Sequence, residues 1–440
     1  MLILIHSETN DRTIASNLGR SEYSYYFVQR MFRPLLERLG RVVEVDAPEE
    51  EVDPLWRDAT DRGEPCVFLC FNPPHKVPVG LECPTVPVFA WEFDTLPDEV
   101  WQNDERQDWV SRLQHWRHAI VHSQDTAGIL RRRLGDGFEV SSIPAPVFDR
   151  LAAIRDRRGQ DMSAAGRGRR MTISAPMIDS RDFDLEGFDR SVPMEERRER
   201  LASILDGRPA EQALTLDGVV YTTVANPFDG RKRAWDLLTH FVWAMRDRPD
   251  ATLLLKTSHP NMLFTLACLL GEFVKLHPFA CRIVIVHGFV PNETYAAMIE
   301  ATDYVVNCSA AEGQCLPLME FMSCGKPAIA PRNSALRDYI DDDNSFLVSC
   351  HPEPTIWPHD ERQMLRATRG RIDMMSLARA FQDSFVVARM ETGRYRAMSE
   401  AATESLRRHC SDAVTLERLG RALRRWSEET LDRRMAASAD

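Results

Sequence analysis

Short apolar runs recur in two separate series along this sequence, and within each series helix-length stretches stand between one run and the next. The first series is LILIH (2–6), VVEVD (42–46), CVFLCF (66–71), VPVFAW (86–91) and AIVHS (119–123), with a strand-like FEVSSIP after Gly135. Helical patterns lie between them, from about Ser21 to Leu39, around 104–117 and through TAGILRRRLG. A strand that is apolar throughout is one buried on both faces, and helices between such strands supply the cover. Residues 1–150 are therefore expected to form a doubly wound α/β domain with a parallel sheet.

From Leu151 to about Leu216 the alternation fails. RDRRGQDMSAAGRGRR is charged and punctuated by glycine, and MIDSRDFDLEGFDRSVPMEERRER is mixed and acidic. Such composition reads as a linker or surface insertion over 151–216, with the alternative that part of it caps a binding site. The second series then begins: VVYTTV (219–224), ATLLLK (251–256), RIVIVHGF (282–289), DYVVNCS (303–309), PAIA (327–330) and SFLV (345–348). Residues 217–410 are expected to form a second Rossmann-like domain. In the helical tail, Val414, Leu416, Leu419, Leu423 and Trp426 follow close to one stripe.

Composition narrows the partners. A length of 440 residues suits two large domains. The formal net charge of −11 argues against nucleic acid, whose phosphates need a concentrated basic face. Ten cysteines show no C-x-x-C and no Cys/His spacing of the zinc kind, so reduced thiols in a cytoplasmic protein are expected. No apolar run reaches the ~18 residues of a membrane span. The basic run Arg131–Arg133 leaves a peripheral contact with anionic lipid open beside the plainer reading of a solvated helix face.

AEGQCLPLME (311–320) is the segment richest in chemistry. The strand DYVVNCS ends just before Glu312, and ligands of open α/β sheets bind beyond the carboxyl ends of strands. LPLMEFMSCG then reads as a helix, with Pro317 in its first turn and Gly325 as its left-handed stop. Its amide-rich start, beside Gly313, is a natural seat for phosphate. Leu316, Leu318, Met319, Phe321 and Met322 make the helix apolar nearly all round, so Glu320 within it needs hydrogen-bond donors, which sugar hydroxyls would supply.

The whole stretch RIVIVHGFVPNETYAAMIEATDYVVNCSAAEGQCLPLMEFMSCGKPAIAPRNSALRDYI resembles the donor-binding half of retaining glycosyltransferases of family 4, with their E-x7-E signature. The likeness rests on Gly288, Glu312 and Glu320, Leu316-Pro317, and Gly325-Lys326-Pro327 before the next strand. It implies the GT-B fold, two Rossmann-like domains facing a central cleft, with the helix at about 411–440 crossing back onto the first. It also implies retaining, metal-independent transfer from a nucleotide-diphosphate sugar to a hydroxyl. The acceptor would be a glycan or lipid-linked glycan of a surface polysaccharide or lipopolysaccharide, and no cofactor is expected.

By the same resemblance Glu312 would contact the transferred sugar and Glu320 the ribose, while the amides of Gly313, Gln314, Cys315 and Leu316 face sugar and diphosphate. Gln314 and Cys315 depart from the Phe-Gly common in the family. In VANPFDGRKRAWDLL, Asn226 stands where the family has an Arg, and Arg231, Lys232 and Arg233 cluster near the family's Lys. Arg231 and Lys232 are the expected diphosphate clamp, because fixed cations stabilise a departing phosphate without a metal.

Lys256, at the end of ATLLLK, either adds a clamp cation or snorkels to solvent. Gly19 and Arg20 stand where the family's first domain faces the donor, or serve a plain turn. Glu92 and Asp94, near the place of a family histidine, are acceptor-side candidates able to orient or deprotonate a hydroxyl, or else solvated acids. Other readings are a nucleotide-sugar epimerase, a glycan phosphorylase, or a catalytically silent subunit of the same fold.

Overall fold

A computed structural model describes residues 1–10, 24–158, 166, 168–358 and 360–437. The first sheet contains β1 (Leu2–His6), β2 (Arg41–Glu44), β3 (Cys66–Cys70), β4 (Thr85–Phe89), β5 (His118–Val121) and β6 (Glu139–Ser142). All its pairings are parallel and the order is β2-β1-β3-β4-β5-β6. Leu2, Ile3, Leu4 and Ile5 are fully buried, as a strand covered on both faces requires.

Three strands follow within the stretch read as a linker: β7 (Arg169–Ile173), β8 (Met177–Asp179) and β9 (Gln212–Leu216). β7 and β9 pair antiparallel, and each buries alternate residues only, Met171 and Ile173 on one, Leu214 and Leu216 on the other. These side chains share an apolar cluster with Val220, Leu254 and Val284 of the second domain. The charged composition misleads because it lies mostly outside the ribbon, around two five-residue strands whose outward residues are Arg170, Thr172, Ala213 and Thr215. Two ion pairs clip the layer in place. Asp179 of β8 meets Arg282, with both groups buried. Arg169 of β7 donates to Asp303 at 3.0 Å.

The second sheet adds β10 (Val219–Ala225), β11 (Ala251–Thr257), β12 (Arg282–His287), β13 (Tyr304–Val306), β14 (Ala328–Pro331) and β15 (Ser345–Val348). Its order is β15-β14-β13-β10-β11-β12-β8, with β8 the antiparallel edge. Counted from β10, the parallel strands follow the doubly wound order in which the winding reverses between the first and fourth strands. β10 and β13 are therefore neighbours, and the loops after them meet at the switch point.

A hairpin of β16 (Cys350–Ile356) and β17 (Leu365–Ile372) completes the strands. Pro352 and Pro354 conceal it in the sequence, since proline is a strand residue only where its missing N–H faces away from a partner, as in this two-stranded ribbon. The hairpin reaches the first domain. Thr95 Oγ1 donates to the Arg366 carbonyl at 2.7 Å and accepts from Trp357 Nε1 at 2.9 Å. Glu99 accepts from Arg362 and Arg366 at 2.7 and 2.6 Å.

The final helix, Asp412–Ala437, also returns to the first domain. Its Asp412 amide donates to Asp149 at 2.7 Å, and the Trp426 ring lies 5.1 Å from that of His118. Among the described residues no helix is long and apolar enough to cross a membrane.

Candidate active site

The loops after β10 and β13 bring the sequence's chief candidates together. Lys232 Nζ donates to Glu312 Oε1 at 2.6 Å, and Asn307 Nδ2 donates to the same oxygen at 2.9 Å. The Glu312 side chain is only 5% exposed. Burial alone would raise its pKa, but Lys232 and Arg231 outweigh that and hold the carboxyl at about 2. Lys232 is shifted the opposite way: burial lowers its pKa, but Glu312 more than restores it, so the ammonium persists. Arg231 donates to Asp229 at 3.0 Å and also to Glu92, across the cleft. Arg233, in a left-handed conformation at φ 50°, turns instead to Glu353 of the hairpin at 2.9 Å. Of the three adjacent cations, Arg231 and Lys232 face the Glu312 centre and Arg233 does not.

The helix Leu316–Ser323 begins from Cys315 at φ 61° and ψ 72°, a left-handed position without a side-chain cap. A residue with a Cβ costs roughly 1–2 kcal/mol there, so Cys315 holds this conformation under strain. Asn307 Nδ2 lies 3.1 Å from the Cys315 sulfur and helps hold it. Burial and the Glu312 carboxylate push the Cys315 thiol up to about 12, so it stays neutral and unreactive at ordinary pH. The helix ends in a Schellman pair, Gly325 N–H to Met322 O at 2.9 Å and Lys326 N–H to Phe321 O at 3.1 Å. Lys326 then anchors its ammonium on the carbonyls of Glu300 and Thr302, at 3.0 and 2.5 Å.

Glu320 accepts a 2.6 Å hydrogen bond from Tyr295. Burial raises its pKa, while Tyr295, Arg150 and Lys256 oppose the shift. Lys256 ends up on this side of the site, its pKa lowered by burial against the pull of Glu320. Tyr295 and Asn307 were not singled out from sequence, and the available signal was positional: each sits on an element that leads into the E-x7-E segment.

The first domain closes over this centre. Gln314 Oε1 accepts from the Ala145 amide at 3.1 Å, and its carbonyl accepts from Tyr339 at 2.8 Å, so Gln314 joins the two domains. Leu316 packs against the apolar cluster that the domains share. Asp94 accepts from the Thr368 amide and hydroxyl of the hairpin, at 2.6 and 2.8 Å, while Glu92 faces Arg231. The two acids therefore point to different partners. Gly19 and Arg20 lie outside the described residues. Among the described residues no group of three or more His, Cys, Asp or Glu is placed to hold a metal.

A Cβ on Gly313 would stand 2.8 Å from the Cβ of Ala90, closer than side chains pack. Gly313→Ala is accordingly expected to destabilise the closed arrangement by about 1–3 kcal/mol. The measurement is the denaturation midpoint. Adding Ala90→Gly should restore most of the loss, and a Gly313→Ala protein as stable as wild type would contradict the contact.

Residues 228–356 match the family described as glycosyl transferases group 1. A comparison with curated protein sequences finds no match. The fold is similar to that of Anabaena HepE in complex with UDP and glucose, at 13% identity and TM-score 0.51, covering 96% of this chain and 99% of that one. It is similar to sucrose-phosphate synthase from Thermosynechococcus elongatus at 17% identity and TM-score 0.53, covering 97% and 99%. For α,α-trehalose 6-phosphate synthase from Burkholderia multivorans the identity is 11% and the TM-score 0.53, covering 98% of each chain. These likenesses establish a GT-B fold of two Rossmann-like domains. Carrying the matched group 1 domain within that fold, the protein is a glycosyltransferase.

Proposed function

We propose that the protein is a retaining glycosyltransferase that moves a sugar from a nucleotide-diphosphate donor to a hydroxyl of a glycan or lipid-linked acceptor. The observation that carries this reading is the buried Lys232–Glu312 pair, with Arg231 beside it, at the point where the second sheet reverses its winding. There the fixed cations meet the diphosphate and the carboxylate accepts from hydroxyls of the transferred sugar. Glu320, with Tyr295 and Lys256, takes the ribose side.

Retention is supported by the E-x7-E spacing. Glu312, tied to Lys232 and Asn307, is a hydrogen-bonding group rather than a nucleophile. The departing phosphate oxygen, steadied by Arg231 and Lys232, receives the acceptor's proton on the same face. No metal is required in this scheme, because the two cations supply the charge. HepE's complex with UDP and glucose supports trying UDP-glucose first. A role in surface polysaccharide or lipopolysaccharide synthesis, on the cytoplasmic side of the membrane, fits such an acceptor.

The direct test is thermal denaturation with UDP, GDP, TDP and their sugars. A native-state ligand at a hundred times its Kd stabilises by ~2.7 kcal/mol, so one nucleotide should raise the melting temperature clearly above the others. If none shifts it, this assignment of the donor site fails.

A further inference from the structure

Glu92 belongs to the first domain, yet among the described residues its carboxylate has one hydrogen-bond partner, Arg231 of the second. Arg231 is already compensated within its own loop, where Nη2 and Nε lie 3.0 and 3.4 Å from Asp229. The cluster of Arg231, Lys232, Glu92, Asp229 and Glu312 therefore sets two cations against three carboxylates. A diphosphate placed on Arg231 adds about two more negative charges to this enclosed site, and uncompensated buried charge costs several kcal/mol.

One carboxylate must yield. Glu312 is held ionised by Lys232 and Arg231. Asp229 caps the Arg231 loop through the Arg231 amide at 3.1 Å and is the most exposed of the three acids, at 28%. Glu92 is 15% exposed. Burial pushes its pKa up, Glu312 and Asp229 push the same way, and Arg231 with Lys232 are what oppose them. The cation that keeps Glu92 ionised is the one the phosphate would take.

We propose that an incoming donor's diphosphate displaces Glu92 from Arg231 and that Glu92 takes up one proton from solvent as it lets go, so that donor binding is proton-coupled and product release returns the proton. This rests on the donor-site reading above. In the complex Glu92 is a neutral acid whose O–H can donate to a phosphate oxygen, and in the free protein its ion pair with Arg231 is one of the contacts that keep the cleft shut. The linkage sign follows: between the Glu92 pKa of the free protein and its higher value in the complex, affinity falls by up to tenfold per pH unit as pH rises.

The experiment is calorimetric titration of UDP and of GDP between pH 7 and 8.5, above the ~6 of a phosphate's own second ionisation, in buffers of different ionisation enthalpy. Wild type should take up close to one proton per nucleotide. Glu92→Gln should take up none and bind about tenfold tighter at pH 8, with Glu92→Ala as a second variant that removes the group altogether. Absence of proton uptake in wild type, or unchanged uptake and affinity in Glu92→Gln, would overturn the coupling while leaving the donor site standing. If neither nucleotide binds wild type, the donor-site reading fails and the coupling fails with it.

Discussion

Glu312→Ala is expected to abolish sugar transfer, lowering turnover by at least ~10²–10³-fold, the range seen when one preorganised polar group is removed from a reacting centre. The side chain is 5% exposed, receives Lys232 and Asn307, and lies where the winding of the second sheet reverses. Glu312→Gln retains an acceptor for Asn307 and loses the charge, so a similar loss in that variant would assign the effect to charge. The readouts are transfer and donor hydrolysis, with circular dichroism to show an intact fold. Unchanged transfer would remove Glu312 from the mechanism.

The same residue gives a pH dependence of stability. Its folded pKa, about 2, lies below the ordinary value of 4.5. The ion pair therefore stabilises the fold above the ordinary value, and that contribution is lost as pH falls from 4.5 toward 2. Glu312→Ala should lack this part of the acid destabilisation.

Asp179→Ala is expected to cost about 3–5 kcal/mol, because it leaves a buried guanidinium without its carboxylate. Arg282 and Asp179 are 8% and 6% exposed, and Arg282 Nε lies 3.2 and 3.0 Å from the two carboxylate oxygens. Without Asp179, Arg282 keeps the Thr215 carbonyl at 2.7 Å among its partners. The strand at stake is the edge strand β8, so unfolding in urea should begin there and broaden the transition seen by intrinsic fluorescence. Replacing the pair by Asp179→Ala with Arg282→Met should recover much of the loss, since no charge is then stranded. An Asp179→Ala midpoint within ~0.5 kcal/mol of wild type would show that the pair holds nothing.

The parallel strands of both sheets were legible chiefly because most of them are short and continuously apolar, whereas the antiparallel edge strand β8 lay unseen in the stretch read as a linker. LILIH and SFLV match β1 and β15 residue for residue. The switch-point glutamates were legible for a similar reason, since Pro317 and Gly325 mark the start and stop of the helix that spaces them. The ribbon of β7 and β9 was obscured because each strand buries only two residues and the stretch around them is charged. The β16–β17 hairpin was obscured by two prolines that are tolerated only in an unpaired direction.

The carboxylates show the division most clearly. Local sequence determined that Glu312 lies just beyond a strand and Glu320 within a helix turn, because strand, loop and helix are each set by neighbours a few residues away. Whether Glu92 or Asp94 meets the Arg231–Glu312 cluster was decided by tertiary structure alone. They stand two positions apart on one loop, yet one reaches Arg231 and the other the hairpin's Thr368. Ion pairing depends on which distant element arrives within about 4 Å, and no local pattern encodes an encounter between residues 139 positions apart.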